Sequence, residues 1–471
     1  MPTLPRQHTP SWAEPDPVDE LAERLGDFVS AAVHPDEIAA LLESDGLSDE
    51  QIRERYGVKN SFALAEELYE RVERDYPEPE GPAHDPWQVG LLGCLLRGVV
   101  FALPGLGYVL GAPLLAGPKD DLGLPAGTIP LLAGALVGWT WNQGLAHRAY
   151  SWLGLGDRAA ARRSLLVGAP LGALLGSLVA LAVGGTGVAF AAGQSLYLGA
   201  ATVLLVMGRE RALLLALLPM AAGAAVTLAH PIPNEARVAL LLLSLAAVLV
   251  LGLIEVAPAV RAPQGRGAVF NLRLPPRGRD QPQQTRRRPT TLGPRLSASL
   301  PYALFGLGTG ILVLYAALGD AIAVVTLTLS MGPAEYLLYR FRSGSLTGLR
   351  STSTAPAFWR RTALTLVQCL SAYLLVLLTL SLTAAALRPE TLRLTGLLLL
   401  GVVLWTALLL QSFGAVLGAT AVLCTAALAQ TLALVTHTGD SHLVGLVVNG
   451  TAAVVQAALV CVLLGRATAH R

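Results

Sequence analysis

The sequence predicts an all-α, polytopic membrane protein: about twelve transmembrane helices in two parallel-repeat lobes of six, preceded by a small helical domain. Three observations lead there: the spacing of the apolar runs, the placement of the arginines, and one recurring motif. Apolar residues make up 53% of the chain and gather into long runs between Val89 and Gly465. Each run approaches the ~20 residues that carry a helix across ~30 Å of hydrocarbon, where only a helix or a closed barrel satisfies its own backbone. Barrel strands would alternate apolar and polar over ~10 residues, and these runs do not alternate.

Residues 1–86 come first and stand apart by charge, with 21 acidic and 7 basic groups against a net charge of +2 for the whole chain. They lack the basic start and short apolar core of a secretory signal. The stretches PDEIAALLESDG, LSDEQIRERYG and SFALAEELYERVERDY each read as a short helix. Pro35, Ser48 and Ser61 stand at helix starts, and Gly46 and Gly57 are stop signals. Ile38, Leu41, Leu42, Ile52, Phe62, Leu64, Leu68 and Val72 supply a small core, joined by a helix from Val18 to Ala32. The acidity disfavours nucleic acid and anionic lipid. It leaves two readings, a solvated cap or a docking surface for a cytoplasmic partner enzyme such as a glycosyltransferase.

The first lobe, 87–259, holds spans near 89–117, 126–147, 164–184, 187–207, 212–229 and 237–258. A basic cytoplasmic linker, 260–297, follows, and the second lobe, 298–471, holds spans near 298–318, 321–340, 362–387, 393–411, 414–436 and 443–465. Lys and Arg concentrate in cytoplasmic connections, so charge tests this count independently. With the amino terminus inside, the inner connections and tail carry 22 basic residues, against Lys119, Arg237, Arg388 and Arg393 outside. Both ends are therefore expected in the cytoplasm, in a cytoplasmic membrane. In the linker, Arg286, Arg287 and Arg288 read as a strand lying on anionic lipid, worth ~1 kcal/mol per Arg, or as a clasp for the acidic domain.

The motif FALPGLGYVL, Phe101 to Leu110, aligns without gaps onto YALFGLGTGI, Tyr302 to Ile311, and each falls in the first helix of its half. Six spans return the chain to its starting side, so the repeat is parallel, about an axis along the membrane normal. Pro104, Gly105, Gly107, Gly306, Gly308 and Gly310 lie within these helices and permit bending or close approach between lobes. The pair Gly134/Gly138, the series Gly168/Gly172/Gly176 and the pair Gly414/Gly418 read as helix-packing faces.

Charges inside spans are few. Arg97 reads either as a pathway group or as a side chain snorkelling to the interface. Glu335 is expected to pair with a residue on another helix, or to titrate in a coupling step. Glu255 sits near the inner end of the sixth span. Arg148, Arg340 and Arg342 lie at inner helix ends, where topology alone explains positive charge. Asn142, Gln143, Gln194, Tyr197, Gln368, Gln411, Gln430, Asn449 and Gln456 serve as interhelical hydrogen-bonding groups or line a polar cavity. Cys94, Cys369, Cys424 and Cys461 all fall in spans, so neither a disulfide framework nor a metal site is expected. No catalytic constellation, P-loop or dinucleotide fingerprint stands in its required context, and no enzyme activity or cofactor is expected.

The inner loop QGLAHRAYSWLGLGDRAAARRSLL, Gln143 to Leu166, carries a leucine-glycine-x-glycine-aspartate turn, Leu153 to Asp157, leading into Arg158, Arg162 and Arg163. It resembles the corresponding loop of the multidrug, oligosaccharidyl-lipid and polysaccharide exporter superfamily, whose six-plus-six plan the chain also shares. The resemblance implies a flippase that moves an anionic lipid-linked oligosaccharide or polysaccharide from the inner leaflet outward by rocking two lobes. It further implies that Arg97, Arg148, Arg340 and Arg342, with Asn142, Gln143 and Glu335, face the substrate. The acidic domain and the sparse charge in the spans depart from that family. Two other readings stand beside it: a drug or small-solute antiporter, and a non-transporting scaffold that recruits a cytoplasmic glycosyltransferase.

Overall fold

The computed structural model describes residues 16–73, 90–118, 125–261, 293–319, 321–352, 354–387 and 394–464. It divides into two compact units, Met1–Asp85 and Pro86–Arg471.

In the first unit the helices are α1 (Pro17–Arg24), α2 (Gly26–Ala31), α3 (Pro35–Ser44), α4 (Asp49–Tyr56) and α5 (Ser61–Arg71). Their ends follow from local chemistry. Asp16 caps α1 by accepting from Val18 N at 3.0 Å, and Ser48 and Gln51 form a reciprocal capping box on α4. Gly57 ends α4 at φ 71°, a conformation that costs glycine nothing. The third start lies one residue earlier than Ser61, because Asn60 accepts from Ala63 N at 2.9 Å. Ile38, Leu42, Ile52, Leu64 and Leu68 are fully buried, with Val18, Leu21 and Val29 from the first two helices. Phe62 does not belong to this core: next to the cap, it projects outward and is 52% exposed.

The second unit begins with α6 (Leu91–Ala102) and α7 (Gly107–Leu115), joined by a 3-10 turn, Leu103–Leu106. Then come α8 (Thr128–Gly154), α9 (Arg158–Val183), α10 (Val188–Val206), α11 (Glu210–Ala229), α12 (Asn234–Val256) and the single turn α13 (Pro258–Arg261). Beyond the linker lie α14 (Leu300–Gly319), α15 (Ala321–Ser351), α16 (Ala355–Leu387), α17 (Leu394–Ser412), α18 (Val416–Val435) and α19 (Ser441–Leu464). Among the described residues ten helices are long and apolar enough to cross a membrane, α6 to α7 counting as one. Side chains such as Leu171, Leu181, Leu253, Leu417 and Val454 are more than a third exposed on the outer faces of these helices. Such surfaces suit lipid, and the protein is accordingly a multi-pass membrane protein. The other two long helices, α8 and α15, run 27 and 31 residues and include Asn142, Gln143, His147 and Arg148 on the first and Glu335, Arg340 and Arg342 on the second. Linker residues Arg286, Arg287 and Arg288 lie outside the described residues.

The motif that recurs in sequence does not recur in shape. The first copy breaks at Pro104, which opens the 3-10 turn, whereas α14 runs unbroken through Gly306 and Gly308. Phe305 aligns with Pro104; it keeps its backbone N–H and buries its ring to 3% exposure, so α14 has no reason to break.

Within the first half, α8, α9 and α10 pack together and α12 lies against α10 and α11. The glycine series on α9 admits α8: a Cβ at Gly168 would strike Leu145, and one at Gly172 would strike Trp141. Gly414 has a different part, since at φ 80° it ends α17 and stands outside any packing face. In the second half α14 packs on α18, α15 on α16, and α17 on α19. The two halves of the chain meet through a crossed pair of contacts, α6 with α15 and α8 with α14. At the first, a Cβ on Gly98 would lie 2.8 Å from Gly332 Cα, so the backbones nearly touch. At the second, Gln143 lies over Gly306, and His147 stacks on Tyr302 with ring centroids 3.7 Å apart.

Candidate functional site

The contact between α6 and α15 carries an ionic cluster. Arg97 lies two turns into α6, on the face that meets α15, one residue from the Gly98–Gly332 approach. Its Nε donates to Glu210 Oε1 at 2.7 Å and its Nη1 donates to Glu335 Oε1. Glu210 is the first residue of α11, and Glu335 lies in mid-α15 two residues after Pro333. Tyr339, one turn beyond Glu335, hydrogen-bonds to the same cluster. The side chains of Arg97, Glu210 and Glu335 are 33%, 23% and 22% exposed, so the cluster is half-buried.

The guanidinium has five donors in a fixed fork and here divides them between two carboxylates. Arg97 and Glu210 belong to the first half of the chain and Glu335 to the second, so the Arg97–Glu335 bond ties the halves together. A phosphate offers the same acceptor geometry as a carboxylate and would compete with Glu335 for the same donors.

Of the sequence-predicted residues, Arg97 and Glu335 are brought together, and the partner of Glu335 is on another helix, as expected. The other candidates make separate contacts. Arg148 donates to the Pro294 carbonyl at 3.1 Å, Arg342 lies over the Phe413 ring at 5.1 Å from its centroid, and Arg340 is exposed. Asn142 is buried at 9% exposure, and Gln143 packs against α14. Glu210 is the member that sequence reasoning missed. A glutamate in the first turn of a helix reads as a dipole-stabilising residue, and only its flanking Arg209 and Arg211 hinted at an ionic cluster.

A second cluster is confined to the first half. Glu255 of α12, 7% exposed, accepts from Arg162 at 2.7 Å and Arg209 at 2.8 Å, with Arg158 at 3.7 Å. This binds α9 and α12 to the approach of α11 and does not reach the second half. The leucine-glycine-x-glycine-aspartate turn is likewise accounted for by its backbone. Gly156 at φ 75° ends α8, Asp157 N donates to Trp152 O, and the Asp157 side chain caps α9 through Ala160 N at 2.8 Å.

In the second half, polar residues pair between helices: Gln430 Nε2 with Asn449 Oδ1 at 3.2 Å, Thr406 Oγ1 with Gln456 Oε1 at 2.6 Å, and Tyr315 with Thr431 at 3.0 Å. The described residues hold no group of three or more His, Cys, Asp or Glu placed to bind a metal. No protein-family model, no curated protein and no solved structure matches this chain.

Proposed function

We propose that this protein is a transporter of the cytoplasmic membrane that moves a lipid-linked or polymeric sugar across it by alternating access. Its twelve spans would be α6 to α7, α8 to α12 and α14 to α19, in two six-helix lobes with both termini cytoplasmic. The observation that carries this reading is the ion pair between Arg97 of one half and Glu335 of the other, set where Gly98 and Gly332 bring α6 and α15 into contact. Two halves that only packed for stability would not need a desolvated cation divided between them, because apolar side chains of similar volume stabilise such a contact at least as well. A breakable charge pair is useful where the contact must open. The arginine distribution supports an inner position for this end of the bundle: with the amino terminus inside, α6 would enter from the inner face, and Glu210 opens α11 beside Arg209 and Arg211.

On this reading the cluster is a latch. An anionic head group arriving from the inner leaflet takes Arg97 from Glu335 and frees α6 from α15. The polar character of α8 and α15, which supply Asn142, Gln143 and Glu335, suits helices that line a path. The test is a leaflet-to-leaflet assay on reconstituted protein with a fluorescent polyprenyl-pyrophosphate oligosaccharide. The expected result is movement that Arg97→Ala lowers at least tenfold; inserted, folded protein that moves no such lipid would refute the proposal.

A further inference from the structure

The second half contains a cavity of about 510 Å³ at the end of the bundle where α14 and α18 finish and α17 and α19 begin. Its volume lies within the ~300–1,000 Å³ of ordinary small-molecule sites. Leu312, Leu397, Leu400 and Leu434 form the apolar wall, and the polar lining combines the amides of Gln430 and Asn449 with the hydroxyls of Tyr315, Thr438 and Ser441, the imidazoles of His437 and His442 and the carboxylate of Asp440. Gln430 and Asn449, 7% and 8% exposed, line the cavity side by side. Their mutual hydrogen bond uses Gln430 Nε2 and Asn449 Oδ1, which leaves Gln430 Oε1 and Asn449 Nδ2 outside it, a matched acceptor and donor. Tyr315, bonded to Thr431 on the adjacent helix, adds an aromatic face beside a hydroxyl.

Among the described residues neither Lys nor Arg lines this cavity, and the carboxylate of Asp440 already accepts from Leu443 N at 3.1 Å. Among the described residues an anion would meet only the imidazoles of His437 and His442, with Asp440 beside them. A ligand whose hydroxyls both donate and accept fits the amide pair.

The mouth supplies a second, independent observation. Helix α18 ends with Thr438 N donating to Ala433 O and His437 N donating to Leu434 O, a closure that puts His437 at φ 51°. Every other residue at positive φ among the described ones is a glycine, including Gly57, Gly156, Gly208 and Gly414 at helix ends. His437, which lines the cavity, thus carries at this helix end a backbone strain that glycine avoids at the others.

We propose that this cavity is a binding site for an uncharged, hydroxyl-rich ligand, a saccharide of about two rings, held by Gln430 and Asn449 and covered by His437. The inference deepens the sugar-transport reading and rests on it for the source of the ligand, though not for its chemistry. Ala323 at the cavity and Glu335 in the latch both belong to α15, twelve residues apart in number and ~18 Å along the helix, so the site is distinct from the cluster.

The test uses the full chain in lipid nanodiscs and equilibrium binding of radiolabelled maltose and N,N′-diacetylchitobiose, with a disaccharide of glucuronic acid as the anionic comparison. Gly445 provides a variant that keeps the fold, because it lines the cavity and a Cβ there meets nothing within 4 Å. Gly445→Leu should lower saccharide affinity at least tenfold with the fold retained, and Gln430→Leu should lower the affinity likewise, at some cost in stability because it leaves Asn449 unpaired. Saturable binding of an uncharged disaccharide, lost in both variants, is the expected result. No binding of either uncharged sugar, undiminished binding by Gly445→Leu, or equal affinity for the anionic disaccharide would each overturn the proposal. Competition by a polyprenyl-linked disaccharide in the nanodisc identifies a lipid-borne ligand, and competition by free sugar alone a soluble one; either supports the site. Lipid movement without saccharide binding refutes this inference and leaves the transport reading standing, and saccharide binding without lipid movement does the reverse.

Discussion

Replacing Glu335 by Gln removes the charge that holds α15 to α6 and leaves the shape of the side chain. Across a contact of about 2.7 Å, such as Arg97 to Glu210, the charge centres lie ~4 Å apart, and at an effective dielectric of ~20 the gross attraction is ~4 kcal/mol. Most of this is offset by desolvation and screening, because Arg97 is 33% exposed and Glu335 is 22% exposed. The net value lies between the ~0–1 kcal/mol of a surface pair and the 3–5 kcal/mol lost on breaking a buried one, hence ~1–3 kcal/mol. Since ~1.4 kcal/mol is a factor of ten, Glu335→Gln should raise the population with α6 and α15 apart ~5- to 150-fold. Cys94 reports it: it is 1% exposed, and its carbonyl lies 2.8 Å from where a Gly332 Cβ would sit. In a chain whose Cys369, Cys424 and Cys461 are changed to Ala, maleimide labelling of Cys94 at fixed pH should accelerate by that factor. Glu210→Gln should accelerate it much less, because Glu210 and Arg97 belong to the same half. Equal effects of the two substitutions, or an unchanged rate in Glu335→Gln, would refute the latch.

Gly332→Ala puts a methyl 2.8 Å from the Cys94 carbonyl oxygen, which only a backbone shift can relieve, so thermal unfolding in detergent should show a loss of ~1–3 kcal/mol. His437→Gly should stabilise the protein by ~0.5–1 kcal/mol in the same measurement, the ~1–2 kcal/mol of left-handed strain less the ~0.5–1 kcal/mol that glycine's chain entropy costs. In the acidic unit, Arg71 donates to Asp16 at 2.8 Å and Asp19 at 2.6 Å, and the first bond holds the Asp16 carboxyl below its usual range. A carboxyl depressed in the folded state stabilises above its unfolded value of about 4 and loses that contribution as pH falls through the lower folded value. Urea unfolding of residues 1–86 should therefore show a shallower acid limb in Arg71→Ala, and identical limbs would remove Arg71 from the account.

Helix positions were legible because a membrane span writes itself as ~20 apolar residues. Helix ends were not. Hydropathy fades at the carboxyl-terminal ends of α8 and α15, and the reading stopped near 147 and 340, yet the helices continue to Gly154 and Ser351. A helix leaving the bilayer needs no apolar face, and AYSW or RSGSL at such an end continues it as readily as Leu would. The break in α6 to α7 was visible as Pro104, whereas its absence from α14 required knowing that Phe305 faces a core. The candidate site was half legible. Arg97 and Glu335 drew notice as charges in apolar runs, but the bond between them joins residues 238 apart, and no local pattern encodes a register between distant helices. His437 gave no sequence signal, because left-handed geometry at a helix end shows only in backbone angles.

The latch and the cavity share α15, and that connection has a thermodynamic consequence. If the cavity holds its ligand better while Glu335 is bonded to Arg97, the ligand and the closed latch stabilise one another by a single coupling free energy, and the coupling is reciprocal. Saccharide at saturation should then slow Cys94 labelling, and Glu335→Gln should weaken saccharide binding by the same factor, both readable on the same nanodisc sample. A cavity that served only its own lobe would bind with equal affinity in both forms of the protein. Helix α15 contains Gly332 and Pro333, which weaken its hydrogen-bond ladder between Ala323 and Glu335, so a rigid transmission over the ~18 Å between the two sites is not guaranteed by helicity alone. Pro333→Ala restores the missing N–H and should raise the coupling factor if α15 moves as a rod. A lower factor would mean that bending at Gly332 and Pro333 is itself how one end of the bundle opens while the other stays closed.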